Sequence, residues 1–157
     1  QELCPASARD CGVDDPKELD IIAAGSSIGA YNALAALCRH PDLFSEAICM
    51  SGTYELSKFI DGDMDEHWYF SSPLHFIPHL AEDDPTLAAL RKSFVSLVHG
   101  TGRWEDPKET WDVANTRGSR EIPNHVEEWG TEWDHDWPLW RNYLPGKLRE
   151  RLGGTPK

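Results

Sequence analysis

Ser27 lies in the run Gly25-Ser26-Ser27-Ile28-Gly29. A serine hydroxyl is a weak nucleophile at neutral pH. It attacks a carbonyl only when a base takes its proton and N–H donors receive the oxyanion that forms. The G-x-S-x-G spacing suits that chemistry. A strand that turns sharply into a helix holds the serine at the apex, and residues two positions either side must be small where the backbones crowd. Gly25 and Gly29 meet that need, and the N–H of Ile28 would be one oxyanion donor. Ser26 competes as nucleophile, but it has Ala24 rather than glycine two residues before it. The plain alternative is a strand-to-helix turn in which Ser27 only caps the helix.

A nucleophile of this kind needs a histidine, and the histidine needs an acid, in the chain order serine, acid, histidine. His40, His67, His75 and His79 precede every acid candidate; His99 closes a predicted strand, and His125 falls in or beside another. His135 alone lies in a loop after the last predicted strand and before the last predicted helix, where it can reach across the end of a sheet. The plain alternative is a surface histidine between Asp134 and Asp136. Glu105 and Asp106 are the acid candidates. Asp106 stands directly before Pro107, the place of a helix N-cap, so Glu105 is preferred and Asp106 is kept as the alternative. The acid would orient the imidazole and stabilise its charged form. Asp134 and Asp136 are set aside because adjacent residues rarely point at the same ring.

The elements that must position these groups are legible as alternating strands and helices. Residues 1–10 read as the end of a helix. Leu19–Ala24 is a short apolar run read as a buried strand, and Ala30, Ala33, Leu34, Leu37 and Cys38 recur at helical spacing until Pro41. Further strands are expected at Ala47–Met50, Phe94–Val98 and Asn124–Trp129, and further helices at Leu74–Leu80, Pro107–Ser119 and Pro138–Leu152. Thr53–Pro73 reads as irregular. Alternation of this kind implies βαβ units and a largely parallel sheet in a single domain over residues 1–152, with 153–157 a flexible tail.

Composition narrows the function classes. The chain has 157 residues and a net charge of −12, which argues against a nucleic-acid or anionic-membrane partner. No apolar run is long enough to span a membrane. Four cysteines without metal-ligand spacing imply a reducing, cytoplasmic setting, with Cys38 and Cys49 as small buried residues. No metal or cofactor is expected. Asp61–Glu66 is acidic like a calcium loop but lacks the glycine at the sixth position and the glutamate at the twelfth; an acidic turn fits it better than a lid over the site. Trp129, Trp133, Trp137 and Trp140 surround His135 and would either line a pocket or wedge the histidine loop onto the last helix.

With these residues placed, the chain resembles the esterase branch of the α/β-hydrolases and is similar to the esterase-D-like proteins. The resemblance rests on AAGSSIGAYNAL (Ala23–Leu34), RHPDLFSEAICMSGTY (Arg39–Tyr54), the Gly100–Pro107 run, and WDHDWPLWRNYLP (Trp133–Pro145), and it covers about residues 19–150. It implies a Ser27-His135-Glu105 triad, a small-molecule ester as substrate and an acyl-enzyme intermediate. A thioesterase or acyltransferase would use the same parts, and a non-catalytic module would use none of them. It also implies a partial α/β-hydrolase fold, a mostly parallel sheet flanked by helices with its first strands missing, together with the loop giving the second oxyanion N–H. The exposed sheet edge that results would leave the chain poorly soluble or as a homodimer. Arg103-Trp104 departs from the family's pattern, in which a Gly-x-x-Asp run often provides the acid.

Overall fold

A computed structural model describes residues 3–15, 18–59 and 65–153 of the chain. The Asp61–Met64 part of the acidic turn and residues 154–157 of the tail lie outside these. In chain order the elements are α1 (Leu3–Cys11), β1 (Ile21–Ser26), α2 (Ile28–Arg39), β2 (Phe44–Met50), α3 (Glu66–Ser71), α4 (Pro73–Phe76), α5 (Pro85–Leu90), β3 (Phe94–His99), α6 (Pro107–Gly118), β4 (Asn124–Glu128) and α7 (Trp137–Arg151). The four strands form one sheet in the order β1-β2-β3-β4, and every pairing is parallel.

Parallel strands joined by helices have both faces covered, so they are apolar on both. β2 illustrates this. Ala47 and Cys49 point to one face and pack with Leu34 and Leu37 of α2 and with Val113 of α6. Ile48 and Met50 point to the other and pack with Leu139 and Tyr143 of α7. Two cores result, one on each side of a single sheet. β1, by contrast, is an edge strand among the described residues and is only half-buried.

The predicted elements are present with shifted ends. β1 runs on through Gly25 and Ser26, because these still pair with Cys49 and Met50. β2 begins at Phe44 rather than Ala47, since Glu46 is buried in the sheet, accepting from Ser96 Oγ at 3.0 Å and bonded to the Arg151 guanidinium. β4 ends at Glu128, one residue early, although Trp129 N–H still donates to His99 O at 2.9 Å. The Leu74–Leu80 helix divides into α4 and a 3-10 turn over Ile77–His79. Thr53–Pro73, expected to be irregular, contains α3, whose N-cap Asp65 accepts from Trp68 N–H at 2.7 Å. α7 starts at Trp137, with Asp136 as its N-cap.

One buried acid ties the layers together near the sheet's carboxyl edge. Glu109 on α6 accepts from the backbone N–H of Tyr54 at 2.7 Å and of Glu55 at 2.8 Å. The loop leaving β2 is thereby fixed against the helix that follows β3. Cys38 and Cys49 are free and buried, as expected, and burial pushes their thiols up to about 11 and about 12. Neither is a thiolate at neutral pH, so neither competes as a nucleophile. Among the described residues no helix is long and apolar enough to cross a membrane.

Candidate active site at the carboxyl edge of the sheet

In a parallel sheet all carboxyl ends lie on one side, so the loops leaving successive strands converge there. Ser27 follows β1, Ser51 follows β2, Glu105 lies beyond β3 and His135 beyond β4. Residues spread over more than a hundred positions are thus gathered at one edge.

Ser27 sits between the end of β1 and the start of α2 at φ 53° and ψ −123°. A non-glycine residue there stores strain of about 1–3 kcal/mol and is held in place by its surroundings. Its N–H donates to Met50 O at 2.9 Å, and its carbonyl accepts from Ala30 N–H at 3.1 Å and Thr53 N–H at 3.4 Å. It is the N-cap residue by position, but its side chain makes no capping hydrogen bond. The hydroxyl points elsewhere: Oγ lies 2.9 Å from His135 Nε2.

The expected crowding is found at Gly25, where a Cβ would run into the carbonyl of Gly29. The expectation for Gly29 itself needs correction. A Cβ there meets nothing within 4 Å, because Gly29 contributes its backbone to the close approach and its own α-carbon faces open space. Gly25→Ala should therefore destabilise the fold by about 2–3 kcal/mol through backbone overlap. Gly29→Ala should be neutral or slightly stabilising in helix α2. Urea unfolding of both variants checks this, and equal stability of the two would contradict the crowding.

Ile28 occupies the first position of α2 and is 52% exposed. Its N–H has no carbonyl one turn back and lies at the positive end of a twelve-residue helix. An oxyanion formed on a substrate carbonyl at Ser27 would meet a donor and a favourable dipole together.

His135 is held by two loops locked to each other. Its N–H donates to Arg103 O at 3.0 Å. Arg103 N–H donates in turn to Asp134 Oδ1 at 2.7 Å, and the Arg103 guanidinium closes on Asp134 Oδ2 at 2.8–3.0 Å. The backbone and side-chain hydrogen bonds from Arg103 hold the Asp134 carboxyl below the usual carboxylate range. Gly100 and Gly102 allow the loops to meet, since a Cβ on either would enter Trp133 O or the Asp134 carboxylate. The imidazole packs edge-on against Trp140, with ring centroids 5.4 Å apart at 85°.

Glu105 and Asp106 lie in different settings. Asp106 is exposed and caps α6, accepting from Lys108 N–H at 3.2 Å. The Glu105 side chain is 1% exposed, and its Oε2 lies 3.7 Å from His135 Nδ1. That separation is ion-pair range rather than a formed hydrogen bond. The other oxygen, Oε1, accepts from Ser51 Oγ at 2.6 Å, and Ser51 Oγ accepts from the Trp140 indole N–H at 3.0 Å.

Ser51 is the participant that sequence reasoning passes over. In the sequence it is legible only as the end of a strand, with Gly52 after it, and that is also what Ser27 is to β1. The shared signal is positive φ. Ser27, Ser51 and Trp104 all adopt it, at 53°, 47° and 65°, and all three adjoin the site. The indole cluster splits by role. Trp129 and Trp133 pack on each other at 4.7 Å and on the α7 core, Trp140 reaches the site, and Trp137 is exposed. Trp137, Trp140, Leu144 and Met50 border a cavity of about 360 Å³ that runs beside Gly25 and Ser26. His99 is excluded as a base, because its ring is buried with Nδ1 2.8 Å from Gly100 O and Nε2 3.6 Å from Glu128. Among the described residues no cluster of three or more His, Cys, Asp or Glu side chains could hold a metal ion.

The sequence profile of the family described as Putative esterase matches residues 1–150. No curated protein matches the chain. Among solved structures, a ferulic acid esterase superposes with TM-score 0.73 at 20% identity, over 94% of this chain and 56% of its own. An S-formylglutathione hydrolase from Agrobacterium tumefaciens gives TM-score 0.68 at 15% identity, over 96% of this chain and 54% of its own. Mycobacterium tuberculosis MPT51 gives 0.70 at 20% identity, over 97% of this chain and 65% of its own. These likenesses establish an α/β-hydrolase type of fold. The chain spans about half the length of the first two proteins.

Proposed function

Because the chain belongs to the Putative esterase family, which its sequence matches over residues 1–150, we propose that it hydrolyses carboxylic esters through an acyl-enzyme formed on Ser27. The observation that carries this reading is the 2.9 Å approach of His135 Nε2 to a serine hydroxyl held at a strained strand-to-helix apex.

In the first half-reaction Ser27 Oγ attacks the ester carbonyl while its proton passes to His135 Nε2. The oxyanion is received at the N-terminus of α2 by the Ile28 N–H. Buried Glu105 stabilises the imidazolium from the Nδ1 side, and the 3.7 Å gap closes as positive charge develops on the ring. His135 then protonates the leaving alcohol. In the second half-reaction it takes a proton from water, which attacks the acyl carbon, and passes that proton to Ser27 Oγ as the bond from Oγ to the acyl carbon breaks and the acid leaves. Ile28 and Trp104, 52% and 87% exposed and next in the chain to Ser27 and Glu105, are the apolar rim residues on which the acyl or alcohol portion of the substrate would rest. The ferulic acid esterase and the S-formylglutathione hydrolase are named for unlike acyl groups, so the acyl specificity of this chain rests on its own rim residues. A cytoplasmic setting is supported by three free cysteines among the described residues, one of which, Cys11, is exposed.

The test is rapid-quench hydrolysis of an activated nitrophenyl ester. The expected result is a burst of nitrophenol close to one per active site, with the acyl group recovered on the peptide carrying Ser27. Turnover without an acyl adduct would overturn the acyl-enzyme, and the absence of both would favour a non-catalytic module.

A further inference from the structure

We propose that Ser51 is a positioning residue for Glu105, and that Trp140 sets the direction in which the Ser51 hydroxyl donates. This deepens the triad reading above and rests on it.

The argument begins with donor counting. A serine hydroxyl has one proton to donate and lone pairs to accept with, and an indole N–H can only donate. Trp140 Nε1 lies 3.0 Å from Ser51 Oγ, so the hydroxyl oxygen is the acceptor in that bond. Its single proton is left for the partner on the other side, Glu105 Oε1 at 2.6 Å. An ionised carboxylate only accepts, so the chain Trp140 to Ser51 to Glu105 has one consistent polarity. Bonds aligned in this way strengthen one another in a buried setting, and Ser51 is 2% exposed.

The backbone is shaped for the same purpose. Ser51 leaves β2 at φ 47°, with its N–H donating to Val98 O at 2.7 Å. This positive φ turns the chain out of the strand at the point where Oγ meets Glu105, a residue 54 positions later. With Oε1 engaged, rotation of the carboxylate is restricted and Oε2 is the oxygen that faces His135 Nδ1. Trp140 completes the arrangement, because the same indole packs edge-on against the imidazole. One side chain of α7 therefore touches the base and also directs the group that holds the acid.

A double-mutant cycle on ester hydrolysis separates positioning from a purely structural role. Ser51→Ala is expected to lower kcat ~10–50-fold with KM within about twofold of wild type. In a Glu105→Ala background the same change should lower kcat less than about twofold, since nothing remains to be positioned. Trp140→Phe keeps the ring against His135 and removes the N–H; it should lower kcat ~3–10-fold and lose that effect in the Glu105→Ala background. It also carries the cycle if Ser51→Ala does not fold. An equal loss in both backgrounds would overturn the proposal by placing the effect elsewhere. Loss of activity in Glu105→Ala with wild-type kcat in Ser51→Ala would overturn the positioning role alone. Wild-type kcat in Glu105→Ala would overturn the triad reading, and this proposal with it.

Discussion

Replacing Ser27 or His135 by alanine should lower kcat for ester hydrolysis by ~10⁵–10⁶, with the double variant losing no more than either single one. In the proposed mechanism the two side chains act as one reacting unit. The hydroxyl oxygen becomes nucleophilic as its proton moves to the ring nitrogen 2.9 Å away, so removing either end removes the whole step. Non-additivity is thus as informative as the size of the loss. Residues acting independently would multiply their losses, and here the second substitution has nothing left to remove. Neither change should disturb the fold. Ser27 makes no side-chain capping bond, and His135 is held through its backbone N–H to Arg103. Steady-state kinetics on the three variants, with urea unfolding as the control for folding, checks both halves.

The second large effect separates the two neighbouring carboxylates. Glu105→Gln should lower kcat by ~10³–10⁴, because a neutral amide no longer stabilises the imidazolium. Asp106→Ala should leave kcat within about twofold and cost about 1 kcal/mol of stability, the ordinary value of a helix N-cap. The contrast follows from where the side chains sit. Glu105 is buried against the imidazole, while Asp106 is exposed and occupied by Lys108 N–H. Kinetics and unfolding measured on the same two proteins should therefore give opposite orders of effect. Loss of activity in Asp106→Ala with wild-type rates in Glu105→Gln would reverse the assignment of the acid.

How far the sequence discloses this arrangement depends on whether the signal is local. The turn at Ser27 can be read because glycines, a strand and a helix lie within a few residues of it. His135 can be found by elimination, since it alone occupies a loop after the last strand. Asp106 can be told from Glu105 because Pro107 marks a helix start. Ser51 has no such marker. Its meaning comes from Glu105 and Trp140, which are brought to it only by the convergence of the loops after β2 and β3 and by the packing of α7. The strand ends move for the same reason. Glu46 falls just before the strand read at Ala47, but Ser96 and Arg151 make it an interior residue and lengthen β2. Gly25 reads as the first residue of the turn after a strand ending at Ala24, although its ladder partner Cys49 keeps it in the sheet. Helix α3 escapes a reading of periodicity because His67, Trp68, Tyr69 and Phe70 show no apolar period, and its signal is the Asp65 cap. At Gly29 the motif is matched for a reason the structure assigns to Gly25 alone. The two halves of the Arg103–Asp134 clamp likewise read separately in sequence, Asp134 as a charge flanking His135 and Arg103 as a departure from the family's pattern, and the importance of the pair lies in fixing the loop that carries His135.

The central claim is that Ser27 is a nucleophile activated by His135. The most direct measurement is reaction with a fluorophosphonate probe, with the labelled peptide located by mass spectrometry. The account predicts a single label on Ser27, formed in wild type, absent in Ser27→Ala and lost in His135→Ala. Wild-type protein that remains unlabelled, or a label on Ser27 that forms equally fast in His135→Ala, would contradict it.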